Sequence, residues 1–105
     1  KKQKDSVTVS IKYDENVCFK GYPLMVTIKN GSQKIVSKVR WEVAAYRPGY
    51  SSNIVDTYYS NTSDKILKRG EVFGLCYKVP DLKSWNDPKL LNWKAESKSV
   101  YFQSD

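Results

Sequence analysis

The chain has 105 residues, 40% of them apolar and 13% aromatic, with a formal net charge of +7. That suffices for one domain with a packed core, is too short for two comfortable domains, and is too apolar for a disordered chain. With no histidine present, Ser-His-Asp and Cys-His catalysis and histidine metal sites are excluded, and no run of about 18 apolar residues exists to cross a membrane as a helix.

Residues 1–6, KKQKDS, read as a flexible lysine-rich linker, with 7–105 as the domain. No signal peptide is visible, and such a start is expected of a domain cut from a leader or a lipid-anchored N-terminus. Val7, Val9, Ile11 and Tyr13 alternate with Thr8, Ser10 and Lys12, which predicts a first strand. Asp14-Glu15-Asn16 turns the chain, and Lys20-Gly21 breaks it again. Leu24, Val26 and Ile28 then alternate with polar neighbours, behind a Pro23 that a strand start tolerates. Asn30-Gly31 is a strong turn signal.

A long strand follows over 35–46, where Val39, Trp41, Val43 and Ala45 share one face and Ser37-Lys38 marks a bulge or bend. Arg47-Pro48-Gly49 ends it. Short strands are expected over 54–59 and 65–67, separated by a break at Asn61-Thr62-Ser63. Lys68-Arg69-Gly70-Glu71 is a tight turn before a strand over 72–79. Residues 81–91 are irregular, with at most one helical turn. The last strand, 92–102, switches its apolar face between Trp93/Ala95 and Val100/Phe102, which predicts a bulge near Lys98. About seven strands with turn signals at short intervals predict an all-β, immunoglobulin-like two-sheet antiparallel sandwich.

Cys18 and Cys76 stand 58 positions apart, outside any C-x-x-C. Two cysteines without histidine cannot supply the four ligands of an ordinary zinc site. The economical reading is one disulfide in an oxidising compartment, the alternative two buried thiols in a cytosolic protein. The lysines are spread along the chain, as solvated strand faces and guarded sheet edges require. The five glycines are scattered singly, so no phosphate loop is present. Carboxylates fall mostly at turns, where they organise their own backbone. This holds for Asp14-Glu15-Asn16, whose oxygens otherwise suit calcium. No cofactor motif is found.

The runs VTIKNGSQKIVSKVRWEVAAY and DKILKRGEVFGLCYKVP resemble bacterial extracytoplasmic immunoglobulin-like domains of the FxLYD kind. Those domains share a strand ending in N-x-S, a V-x-x-V start, an aromatic strand ending in Tyr, and an L-x-x-G-E turn into a further aromatic strand. Here the matching positions are Asn30, Ser32, Val36, Val39, Trp41, Tyr46, Leu67, Gly70, Glu71 and Phe73, within residues 22–80. The resemblance implies a fold and an extracytoplasmic location, periplasm or cell surface, and carries over no catalytic residue. Two features depart from it: an insertion-like YRPGYSSNIVDTYY loop, and a cysteine pair unlike the inter-sheet disulfide of antibody domains, since Cys18 precedes the second strand.

The stretch 46–59 concentrates Tyr46, Tyr50, Tyr58 and Tyr59 with Arg47, Ser51, Ser52 and Asn53. Tyrosine gives contact area at little entropic cost, Ser and Asn give adaptable hydrogen bonds, and Arg and Tyr are enriched at binding hot spots. This predicts a rim for a protein partner at the cell envelope, against the plainer reading of core tyrosines and a solvated loop. Trp85 is a second candidate, and with the exposed tyrosines it supports a carbohydrate-binding alternative. Trp41 and Trp93 sit on strand alternation and belong to the core. Nucleic-acid binding through interleaved basic and aromatic residues is disfavoured by a disulfide compartment. Asn30-Gly31-Ser32 and Asn61-Thr62-Ser63 are glycosylation sequons in a secreted eukaryotic protein and turns otherwise. The function expected from these residues is non-enzymatic binding.

Overall fold

The computed structural model describes residues 2–56, 59–84 and 86–103. Six strands are present among them: β1 (Val7–Tyr13), β2 (Leu24–Asn30), β3 (Val36–Tyr46), β4 (Ser60–Ser63), β5 (Val72–Tyr77) and β6 (Asn92–Phe102). They form two three-stranded antiparallel sheets, ordered β1-β2-β5 and β4-β3-β6, packed as an all-β sandwich. A single helical turn, α1 (Lys2–Asp5), precedes β1. Its Gln3 side chain accepts a hydrogen bond from Gln33 N.

Five of the expected strands stand where period-two alternation places them: β1, β2, β3 and β6 each bury one face, and the strand expected over 72–79 is β5, which ends at Tyr77. Leu24, Val26 and Ile28 of β2 and Val39, Trp41, Val43 and Ala45 of β3 lie in one core. Trp41 is fully buried and meets the Tyr77 ring edge-on across the sheets, 5.9 Å between centroids. Deleting such a side chain costs about 3–5 kcal/mol. Trp93 is buried too, its indole N–H donating to Pro88 O at 2.9 Å.

The strand count is six rather than seven. The expected strands over 54–59 and 65–67 are absent among the described residues: Ile54 and Val55 are buried, but Val55 makes only an isolated bridge to Leu82, and Leu67 only one to Val36. The residues read as a break form β4, paired with Val39–Glu42 of β3. β3 needs a second hydrogen-bonding neighbour along this length, and a polar Ser-Asn-Thr-Ser run serves at a sheet edge.

Both bulges fall where the change of apolar face requires. Register slips at Ser37, between the pairs Val36–Phe102 and Lys38–Tyr101. It slips back on β6, between Ser99, opposite Arg40, and Glu96, opposite Glu42. Ser97 there adopts the left-handed conformation, φ 50°. One extra residue on each strand restores the match of buried faces between β3 and β6.

The N-x-S signal is not a surface turn. Asn30 and Ser32 are fully buried at the sandwich end that holds α1. The Asn30 amide donates to Lys34 O and Leu67 O, and its oxygen accepts from Ser32 N at 2.9 Å and from the Ser32 hydroxyl. The Asn61 amide nitrogen is also shielded from solvent. Neither sequon offers its nitrogen to a glycosylating enzyme in the folded domain.

Candidate functional site

The opposite end of the sandwich gathers three loops. One joins β1 to β2, one leaves β3 at Tyr46, and one runs from β5 to β6. Asp14 starts the first as a turn former, its Oδ1 accepting from Asn16 N and Val17 N. The Cys18–Cys76 disulfide, S–S 2.03 Å, then pins this loop to β5. Both cysteines belong to the β1-β2-β5 side, so the bridge staples a loop to its own sheet instead of joining the two sheets. Met25 Sδ lies 3.7 Å from Cys18 Sγ.

In the second loop, Tyr50 N donates to Arg47 O at 2.9 Å and Gly49 has φ +81°, the geometry that Arg-Pro-Gly encodes. This tight turn brings the Arg47 guanidinium over the Tyr50 ring, 4.2 Å from its centroid. Asn53 holds the return: its Oδ1 accepts from Ala45 N and Val55 N, both at 3.0 Å. The second and third loops are joined by Asp56 N to Asp81 O and Lys83 N to Ile54 O, each 2.8 Å.

Tyr46 lies on the outer face of β3, its hydroxyl donating to Glu96 on β6 and its ring facing Lys94 Nζ at 5.7 Å. The Glu96 carboxylate accepting that bond, with lesser burial and charge effects, holds the phenol above its ordinary pKa. Tyr46, Tyr50, Ser51, Asn92, Lys94 and Glu96 line a shallow pocket of about 310 Å³. Phenol, carboxylate, amide and ammonium there offer stacking and hydrogen bonds of both senses.

The structure therefore brings Tyr46, Arg47 and Tyr50 together. Tyr59 stands apart: it is half-buried, packs against the core, and its carbonyl accepts from Val43 N at 2.8 Å. Tyr58 and Trp85 lie outside the described residues. Sequence reading missed Asn92, Lys94 and Glu96, which look like ordinary strand positions until the Tyr46–Asn92 register is known. It also missed the first loop, where Phe19 and Val17 are each 64% exposed and Phe19 meets Tyr22 edge-on at 6.2 Å. The available signal was an apolar Val-Cys-Phe run between two turn signals, too short to alternate as a strand.

No helix among the described residues is long and apolar enough to cross a membrane. The chain matches no protein-family model, no curated protein and no solved structure.

Proposed function

We propose that this sandwich is an exported, non-enzymatic binding module of the cell envelope, of the FxLYD immunoglobulin-like kind, that meets a protein partner through the loops on the Tyr46–Tyr59 side. The supporting observation is the Arg47–Tyr50 pair. Tyr50 is 61% exposed, yet it is fixed by a tight turn and covered on one face by a guanidinium. A large aromatic held in one place loses little freedom on binding, which is the property of an interface anchor. The disulfide favours an oxidising compartment.

The test is affinity capture from envelope extract with wild type and with Arg47→Ala/Tyr50→Ala. The expected result is one or a few partners retained by wild type and lost from the variant. An unchanged set of captured proteins overturns the reading. A glycan is the second reading, favoured by the Tyr46/Glu96/Asn92 pocket, and titration with soluble glycans tests it. Quenching of aromatic fluorescence supports it; none across a broad panel removes it.

A further inference from the structure

A second surface lies across β6 from the tyrosine pocket. β1 and β6 are edge strands, one pairing only with β2 and the other only with β3. They run past one another in opposite directions on one side of the sandwich. Lys98 Nζ donates to Val7 O and ties them at one end. Beyond that tie the two strands flank an open groove. A cavity of about 270 Å³ lies between Val9–Ile11 and Trp93–Ala95. It continues, through shared Ile11, Trp93 and Lys94, into one of about 450 Å³ that reaches Tyr13 and Leu91.

Three features define what fits. The groove has an apolar floor of Ile11, Leu91 and Trp93. Lys12, Lys89 and Lys94 line it and, among the described residues, no carboxylate does. All three lysines are exposed, and the ammoniums of Lys12 and Lys89 have no partner among the described residues. Two carboxylates act on Tyr13 at the groove's end, Glu15, which accepts the Tyr13 hydroxyl, and Asp87, which accepts Lys89 N to cap the 3-10 turn Pro88–Leu90, so three lysines stand against two acids. Third, both rims are strand edges whose outward backbone groups repeat at the spacing an added strand requires.

We propose that this groove binds an extended acidic segment of a partner protein, its apolar side chains on Ile11 and Trp93, its carboxylates at the three lysines, and its backbone pairing with a flanking strand edge. About five residues span the groove at the rise of a strand. Charge sets the sign of the ligand, and the free edges favour a peptide over a lipid anion. This goes beyond the tyrosine-loop reading: the groove shares Asn92 and Lys94 with the tyrosine pocket, and Lys12, Lys89, Ile11 and Trp93 belong to the groove.

The test is fluorescence anisotropy on the intact domain with labelled alternating Val/Glu and Val/Lys peptides about seven residues long. The expected result is binding of the Val/Glu peptide alone, weakened about tenfold or more by Lys12→Glu/Lys89→Glu and unaffected by Arg47→Ala/Tyr50→Ala. An N-methylated Val/Glu peptide, stripped of backbone donors, is expected to bind poorly, and hydrogen exchange is expected to slow at 9–13 or 92–95. Both lysines are exposed, so the variant keeps its fold, which circular dichroism checks. Equal binding after charge reversal, or equal binding of the N-methylated peptide, overturns the proposal. So does lysine-dependent binding of phosphatidylglycerol vesicles without peptide binding, which assigns the groove to a lipid surface.

Discussion

The Asn30 amide donates to the Leu67 carbonyl at 2.9 Å across 37 positions of sequence. Around that bond the β2 end, the β3 start and the turn before β5 become one unit, since Asn30 N also donates to Glu71 O and Gly70 N donates to Asn30 O. Replacing Asn30 with Ala leaves the buried Ser32 N–H without its acceptor and takes one of two donors from each of the Leu67 and Lys34 carbonyls, which keep Val36 N and the Ser32 hydroxyl. The expected loss is about 2–3 kcal/mol in denaturant unfolding, since a buried group left unpaired costs about 1–3 kcal/mol and the other lost hydrogen bonds add to it. Asn30→Asp is expected to be worse and to worsen as pH rises, because its carboxylate would face two carbonyl oxygens. Equal stability of wild type and Asn30→Ala refutes the hub.

Reduction is expected to destabilise the domain by about 4 kcal/mol, the range for a bridge closing a loop of this length. Intact-mass measurement after denaturing alkylation, without and with reductant, is expected to show no added group and then two. Thermal melts of Cys18→Ser/Cys76→Ser give the energy. Val17, Phe19 and Tyr22 are expected to lose their fixed positions first, since the Cys18–Cys76 bond anchors their loop.

Two glycines are expected to respond differently to alanine. A Cβ on Gly31 would stand 2.7 Å from the backbone oxygen of Ser6, which itself accepts from Gly31 N at 2.9 Å. A Cβ on Gly74 would meet Met25 Cε at 2.6 Å, the far end of a flexible side chain. Gly31→Ala is therefore expected to cost roughly 2 kcal/mol and Gly74→Ala under about 1 kcal/mol. The opposite order in chemical denaturation refutes the argument.

The Tyr13 phenol is pushed up to about 12 from 10.0, chiefly by its hydrogen bond to Glu15, then by burial and by the charges of Glu15 and Asp87. A raised folded-state pKa means the folded protein holds this proton more tightly. The stabilisation is whole below about pH 10, the unfolded value, and is lost as pH rises through about 12. Tyr46, raised by its bond to Glu96, and Tyr77, raised by burial, act in the same sense. Ultraviolet titration of phenolate is expected to show a late step that Tyr13→Phe removes and Glu15→Gln moves down. An unmoved step in Glu15→Gln refutes the assignment.

The sequence by itself determined the strands that bury one face. β1, β2, β3 and β6 are legible because alternation of Val, Ile, Leu and Trp is a local record of which side faces the core, and β5 was legible from its aromatic alternation between a Gly turn and Pro80. Both bulges were legible too, since an extra residue flips that alternation at Ser37 and near Lys98. Arg-Pro-Gly encoded its turn through fixed Pro48 and Gly49 backbone preferences. Tertiary structure alone decided what depends on which backbones lie side by side. β4 exists because β3 offers an unpaired edge, whatever the polarity of Ser60–Ser63. Asn30 reads as a turn residue and is a buried hub, because its partner carbonyl arrives from Leu67. Tyr46 gains Glu96 and Lys94 only through the β3–β6 register. The lysine-lined groove arises where two edge strands distant in sequence pass without pairing.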